Sequence, residues 1–427
     1  MSPKQKNPVH LANNSVSAWC ASKKAGQLVM TTAFESGRIT DEMPNEALDV
    51  SVVIPCLNEA QSIAFCIDKA TAAFKEAGIR GEVVVADNGS TDGSIEIACK
   101  HGALVIHAPL KGYGHALRKG IEQARGKFIV IGDADDSYDF LQVPRFVAKW
   151  REGYEVVMGN RFKGEIKPGA MRWHHKYLGN PVLSGILNLF FRANIGDAHC
   201  GMRGFTKEVY ERMDLRTTGM EFASELVVKA ANLGARMTEI PITLWPDKRG
   251  RTPHLRSFRD GWRHLRFLLL YSPRWLFLYP GAVLMLIGGI TGLWLLPGPR
   301  VVGRVMFDVH TLLYSAVAVL LGFQAVSFAV FAKIFAITEG LLPEDPRMSR
   351  LFRIVTLEMG LIIGGVLMII GLVGSIFAVS AWGIENFGPL DSTKALRLVI
   401  PAVVLITLGC QIMLSSFFLS LLGMNRN

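Results

Sequence analysis

The sequence predicts an α/β domain followed by an all-α membrane domain of four helices. Three observations carry this. Short, near-continuous apolar runs alternate with helix-spaced segments between residues 50 and 131, the pattern of a parallel sheet covered by helices on both faces. Four long apolar runs begin at Trp275, each about the ~20 residues that cross a bilayer. Between the two parts lies a stretch of interleaved arginines and aromatics suited to a headgroup surface. Composition agrees: 50% of the 427 residues are hydrophobic and mean hydropathy is +0.29, too apolar for an ordinary soluble domain.

Residues 1–49 are polar and interrupted by Pro3, Pro8, Asn13, Asn14 and Pro44. They lack the apolar core of a signal peptide and are expected to form a flexible leader. Residues 50–250 form the α/β domain. Strands are expected at 50–54, 82–86, 103–106 and 128–131, with helices at 60–77, 94–100 and 115–124. After a strand at 156–158 the pattern loosens. Residues 161–180, rich in Gly, Pro, His and Arg, are expected to be a mobile loop feeding a helix. A helix at 219–233 and a strand around 237–240 complete the domain.

Residues 251–274 form a basic amphipathic interface segment, in which arginines alternate with Phe258, Trp262, Leu265 and Phe267. Residues 275–427 hold the spans, at about 275–296, 309–335, 359–382 and 398–422, with Tyr271, Trp275, Tyr279, Trp294 and Trp382 near their ends as interfacial aromatics. An even number of spans leaves both ends on one side. Arg256, Arg259, Arg263, His264, Arg266 and Arg274, with Arg347, Arg350 and Arg353 in the second loop, place that side in the cytoplasm by the positive-inside rule. The chain is therefore expected to be a multi-pass membrane protein with its α/β domain cytoplasmic. The opposite loops carry Arg300, Arg304, Lys394 and Arg397, so the contrast is modest.

A net charge of +10 fits nucleic acid, anionic lipid or phosphorylated substrates. The cations crowd into residues 248–274, directly before the first span, and no nucleic-acid module accompanies them. The membrane surface is the expected partner, and nucleic acid is not. The six cysteines include no Cys-x-x-Cys pair and are expected to be reduced thiols.

In open parallel sheets, ligands collect outside the carboxyl ends of the strands. Three polar segments fall there: Pro55-Cys-Leu-Asn58-Glu59, Asp87-Asn88-Gly89-Ser90-Thr91-Asp92, and Asp133-Ala-Asp135-Asp136. Clustered carboxylates raise one another's pKa unless a cation joins them. Hard divalent cations such as Mg²⁺ or Mn²⁺ favour carboxylate and phosphate oxygens. Asp133 and Asp135 are thus candidate metal ligands, with a solvated acidic turn as the plainer alternative.

With these segments in this order, the chain resembles the inverting glycosyltransferases of the GT-A fold (nucleotide-diphospho-sugar transferase, Rossmann-like). The resemblance is closest to the dolichol- and polyprenyl-phosphate sugar transferases, such as dolichyl-phosphate mannosyltransferase, and covers about residues 50–272. It implies transfer of a hexose from a nucleotide-sugar donor, of the UDP-glucose or GDP-mannose type, to a polyprenyl phosphate by metal-assisted inverting displacement. It implies that Pro55, Asn58, Glu59, Asp87 and Asp133 line the nucleotide-sugar pocket. Asp133 and Asp135 would hold the metal, with Asp135 and Arg161 as the catalytic pair. Two positions depart from the family pattern. Asn88 replaces the second Asp of the usual pair, and Ser137 stands where relatives often carry a Gln that completes the metal shell. Water or Asp136 could take that place.

A phosphate monoester is largely dianionic at neutral pH, so the acceptor needs cationic positioning more than a general base. Arg161, Arg172 and Arg203 are the candidates, because arginine forks match phosphate geometry. By position Arg161 and Arg172 resemble the arginines that hold lipid phosphate in the family, and Arg203 matches one found in part of it. A surface arginine is the alternative for each. Glu221 and Glu225, at helical spacing, could face the sugar or merely solvent. His174, His175 and His199 are not read as metal ligands; the first two, adjacent in a basic loop, suit phosphate contact or solvent exposure. Lys111-Gly-Tyr-Gly114 mimics part of a dinucleotide fingerprint, but Leu117 occupies the third glycine position.

Related readings are a processive membrane polysaccharide synthase and a sphingolipid-type glucosyltransferase. Against the synthase, Tyr271 sits where the Gln of a Gln-x-x-Arg-Trp motif should precede Arg274-Trp275. A membrane adaptor with a degenerate transferase domain is the non-enzymatic reading, and the four spans could also form a homo-oligomer.

Overall fold

The computed structural model describes residues 48–248, 257–342, 356–384, 386–389 and 391–423. Nearly all of the expected leader, and Arg256, Arg347, Arg350 and Arg353, lie outside the described residues. The chain divides into two compact units, Met1–Phe267 and Leu268–Asn427.

The first unit is built on a seven-stranded sheet of order β3-β2-β1-β4-β6-β5-β7. Its strands are β1 (Val50–Cys56), β2 (Gly81–Asp87), β3 (Leu104–His107), β4 (Phe128–Ile131), β5 (Val156–Ile166), β6 (Arg203–Thr206) and β7 (Met237–Leu244). The expected helices appear as α1 (Ile63–Glu76), α2 (Ser94–Lys100) and α3 (Tyr113–Gln123). Strands β1 to β4 pair in parallel, and buried β-branched residues (Val52, Ile54, Val83, Val85, Val130) form the core with Phe128, Phe140 and Phe146. Helix α4 (Val143–Arg151) follows the acidic turn, and its Trp150 stacks on Phe128 with ring centroids 5.4 Å apart.

Two expectations need correction. The sheet is mixed, because β6 runs antiparallel to both β4 and β5. Its four residues, Arg-Gly-Phe-Thr, carry no apolar run, so pattern alone does not mark them as a central strand. Residues 161–166 are not loop: they continue β5 and pair with β7 as far as Leu244. A π turn, His175–Gly179, then leads into α5 (Asn180–Phe191). Cys56, Cys66, Cys200 and Cys410 are free. Helices α6 (Lys207–Met213), α7 (Phe222–Asn232) and α8 (Ser257–Leu270) complete the unit.

Among its described residues the second unit holds four helices long and apolar enough to cross a membrane: α9 (Tyr279–Leu295, extended at its start by a π turn), α10 (Val309–Thr338), α11 (Leu357–Ile384) and α12 (Ser392–Gly423). A short hairpin, β8 (Arg300–Val302) with β9 (Val305–Phe307), joins α9 to α10. Helix–helix packing in lipid relies on small residues that let backbones approach. A Cβ on Gly281 would lie 2.8 Å from the Gly322 carbonyl oxygen, and one on Gly364 would lie 2.6 Å from that of Gly409. Arg397 ties the start of α12 to Asp308 and to the Leu295 carbonyl.

Candidate active site

The first two strand ends are locked together by short polar side chains. Asn58 adopts a left-handed backbone, φ 58°, a conformation Asn tolerates well. Its amide donates to the Ser90 hydroxyl oxygen at 2.9 Å, and its side-chain oxygen accepts from the Thr91 amide at 2.8 Å. Asp92 accepts from the Ala60 amide and the Ser94 amide and hydroxyl. Burial opposes its charge, but these bonds hold its carboxyl below the usual range. Asp87, 1% exposed, accepts from the Gly89 and Ser90 amides at 3.0 Å, and Glu59 is likewise buried. Pro55 sits in β1 opposite Ala86. The nucleotide-side candidates therefore gather at adjacent strand ends.

The Asn88 departure has a structural reason. Its side-chain nitrogen donates to the Ala108 and Leu110 carbonyls, at 3.0 and 2.8 Å, and its oxygen accepts from the Gly112 amide at 2.8 Å. A carboxylate can accept but not donate, so Asp could not staple the segment between β3 and α3. That segment is braced from behind: the Gly114 amide donates to the Thr218 carbonyl at 3.0 Å. Glu225, fully buried, receives the Arg216 and Thr217 amides, the Thr217 hydroxyl and the Lys229 ammonium. Glu225 braces this loop rather than facing a sugar.

The acidic turn at the end of β4 separates its three carboxylates by role. Asp136, at φ 59° and 2% exposed, is clamped between Lys69 and Lys248, each at 2.7 Å. That engagement argues against its serving as a third metal ligand. Asp135 accepts from the Ser137 amide and, at 2.6 Å, from the Ser137 hydroxyl. Asp133 accepts from the Tyr113 hydroxyl at 3.1 Å. A Cβ on Gly201 would lie 2.6 Å from Asp133 Oδ2 and 2.8 Å from the Tyr138 ring, so glycine permits this close approach. Burial pushes the Tyr113 and Tyr138 phenols well above their ordinary values, and the neighbouring Asp133 charge adds to it. Both remain hydrogen-bond donors at neutral pH. The segment after β7 runs along the turn, with the Trp245 amide on the Ser137 carbonyl and the Lys248 amide on that of Asp135.

No group of three or more His, Cys, Asp or Glu is arranged to hold a metal among the described residues. Two hard carboxylates without a third protein ligand fit a cation that arrives shared with the oxygens of a diphosphate. The residues present are compatible with Mg²⁺ or Mn²⁺ on those terms.

The three arginines occupy different settings. Arg161 forks onto the fully buried Asp197, Nε to Oδ2 and Nη2 to Oδ1, both at 2.7 Å. Burial alone would lower its pKa, but Tyr138 and Asp197 outweigh it and raise the value well above the ordinary one. Arg203 is 2% exposed and commits its amino groups to the Ala223 and Cys200 carbonyls. Its Nε is buried with no hydrogen-bond partner among the described residues. Arg172 is exposed, just ahead of the π turn. His174 and His175 lie half-buried beside it.

Sequence reasoning did not single out Tyr113, Tyr138, Asp197 or the His199–Ser224–His264 cluster. Ser224 bridges the two histidines, at 3.3 and 2.8 Å. Burial, the second imidazole and nearby Arg203 and Arg161 hold His199 well below its ordinary pKa. Burial takes His264 down to about 4. Only a hydroxyl or imidazole enclosed by the fold marks such residues, and one sequence carries no signal of that enclosure.

The mixed α/β sheet, its acidic strand-end turn and the four candidate spans define a GT-A, Rossmann-like transferase domain joined to a membrane region. Comparison with known proteins agrees. Residues 51–214 match Glycosyl transferase family 2, and residues 330–423 match the Glycosyltransferase family 2 C-terminal transmembrane region. The chain is 40% identical over 376 residues to the low-salt glycan biosynthesis hexosyltransferase Agl6 of Haloferax volcanii, covering 88% of this chain and 89% of that protein. Glycosyltransferase AglJ of the same organism is 31% identical over 223 residues, covering 52% of this chain and 71% of AglJ. Among solved structures, a glucosyl-3-phosphoglycerate synthase from Mycobacterium tuberculosis, in complex with Mn²⁺, UDP and glucosyl-3-phosphoglycerate, is 19% identical. It covers 62% of this chain and 84% of that chain, with a TM-score of 0.41. The chain belongs to glycosyltransferase family 2. It is a glycosyltransferase and an integral membrane protein.

Proposed function

We propose that the protein transfers a hexose from a nucleotide-diphosphate sugar to a polyprenyl or dolichyl phosphate at the cytoplasmic membrane face. The observation that carries this is the Asp133–Asp135 turn, set beside the Asp87 and Asn58 strand ends in a chain with four candidate spans. The description of Agl6 as a hexosyltransferase of glycan biosynthesis supports the sugar class.

In this reading Pro55, Asn58, Glu59, Asp87 and Asp133 line the donor pocket. A divalent cation held by Asp133 and Asp135 would neutralise charge on the departing diphosphate. Tyr113 holds Asp133 in place. The acceptor phosphate oxygen forms a bond to the anomeric carbon as the bond to the diphosphate oxygen breaks, and the nucleoside diphosphate leaves with the electron pair. Configuration inverts. Arg172, which is exposed, meets the acceptor phosphate, and Arg161, fixed by Asp197, is the second cation assigned to it. Arg203 is assigned to the scaffold.

The test is transfer by purified full-length protein with polyprenyl phosphate, Mg²⁺ or Mn²⁺, and a panel of labelled nucleotide-sugars. Butanol-extractable label from one donor, abolished in Asp135→Ala, is the expected result. Near-normal activity in that variant would remove the metal assignment. Label in long polymer would instead identify a synthase.

A further inference from the structure

We propose that His199, Ser224 and His264 form a positioning relay that holds the Gly201 wall of the Asp133 site in register with helix α8. Each acts through other residues rather than on the reacting atoms. The proposal rests on the reading of Asp133 and Asp135 as the diphosphate–metal site. Helix α8 buries Asp260, His264 and Phe267, spaced i, i+4 and i+7 along one face, while Phe258 and Trp262 stay exposed. In sequence α8 leads directly to the first candidate span, which begins at Arg274.

The relay is continuous. The Ser224 hydroxyl, fully buried on α7, lies 2.8 Å from His264 Nδ1 and 3.3 Å from His199 Nε2. The two imidazole rings meet edge to face, with centroids 4.7 Å apart. Burial keeps both rings neutral at neutral pH, so each has one donor nitrogen and one acceptor. His199 Nδ1 is buried with no hydrogen-bond partner among the described residues. A stranded acceptor is a commoner exception than a stranded N–H, which puts the His199 proton on Nε2. His199 then donates to Ser224, and the Ser224 hydroxyl donates to His264 Nδ1.

The far end of the relay reaches the site through the backbone. His199 lies just ahead of Gly201, whose amide donates to the Tyr138 hydroxyl at 2.8 Å. Gly201 also packs so close to Asp133 that a Cβ would sit 2.6 Å from Oδ2. Arg203 closes the circuit, because its amino groups bond the Cys200 carbonyl, next to His199, and the Ala223 carbonyl, next to Ser224. Apolar side chains would seat α8 at a lower desolvation cost. Directional bonds instead fix one arrangement, since any slip of α8 would strand buried polar atoms. A displaced His264 therefore shifts residues 199–201, and with them the wall that sets Asp133.

The test titrates Mn²⁺ into full-length protein at neutral pH with UDP and, separately, with GDP. Electron paramagnetic resonance reads free Mn²⁺, and melting temperature is followed alongside. The wild type is expected to bind Mn²⁺ with one of the two nucleotides. His264→Leu should weaken that binding about tenfold, as loss of a group that orients a metal ligand does. His264→Asn should restore most of it, because its side-chain oxygen can accept from Ser224 where Nδ1 did. Phe74→Ala, beside Gly81 at the start of β2, should lower the melting temperature without changing Mn²⁺ affinity. Should His264→Leu fail to fold, Ser224→Ala, which removes only the bridging oxygen, carries the test with the same expected loss. Wild-type Mn²⁺ affinity in these relay variants would overturn the proposal and leave the metal site standing. So would an Asn variant no better than Leu, or an equal loss in Phe74→Ala, since either would reduce the relay to packing. A wild type that binds Mn²⁺ with neither nucleotide would overturn the metal reading, and the proposal with it.

Discussion

Asn88→Asp changes one side-chain nitrogen to oxygen and should be severely destabilising. The wild-type amide donates to two carbonyls within 3.0 Å. The variant loses two bonds worth about 1 kcal/mol each and leaves a 9%-exposed carboxylate facing carbonyl oxygens, a further penalty of about 2 kcal/mol. The total of about 4 kcal/mol corresponds to a melting-temperature drop of roughly 8–16 °C for a unit of this size. Burial and the carbonyls would raise the new carboxyl's folded-state pKa above its unfolded value. The folded variant then binds its proton more tightly, so its deficit should shrink as pH falls and be largest above neutrality. Differential scanning fluorimetry of the full-length protein at pH 8 and pH 5, with Asn88→Ala as the control lacking the charge, reads both effects. An Asn88→Asp protein as stable as wild type at pH 8 would refute the amide staple.

Asp197→Asn should cost about 3–5 kcal/mol, because it strands the buried Arg161 guanidinium; a thermal melt checks this, and Arg161→Met combined with Asp197→Leu should be less harmful than either single change. His264 is neutral when folded, with its pKa lowered to about 4. Its unfolded state therefore binds the proton first, and stability present above about pH 6.5 should be lost as pH falls toward 4. His264→Gln should flatten that acid limb of the melting-temperature profile, even though His199 nearby titrates in the same direction. Gly201→Ala places a methyl 2.6 Å from Asp133 Oδ2 and should cut transfer about tenfold, or about 1.4 kcal/mol, with a smaller effect on melting.

The sheet's parallel half was legible because β1, β2 and β4 are buried on both faces and so read as unbroken apolar runs. The spans were legible for the same reason, since lipid and core both demand continuity of apolar residues. What sequence concealed is structure held by polar atoms. Strand β6 enters the centre of the sheet with a buried arginine and a glycine, so it has neither run nor alternation. Residues 161–180 combine glycine, proline and cations, which mimic a loop, yet the first six extend β5 because β7 supplies their partners. The site divides along the same line. Asp133, Asp135 and Asp87 announce themselves by clustering at strand ends, whereas Arg161 and Arg203 show only a cation. Whether that cation meets a phosphate, Asp197 or a carbonyl depends on neighbours far along the chain.

The central claim is that one hexose moves onto a lipid phosphate. Mass spectrometry of polyprenyl phosphate after incubation with the full-length protein and each nucleotide-sugar tests it most directly. The expected result is conversion, with one donor, to a lipid carrying a single hexose on its phosphate. Unchanged lipid with every donor, or a ladder of many sugars, would contradict it.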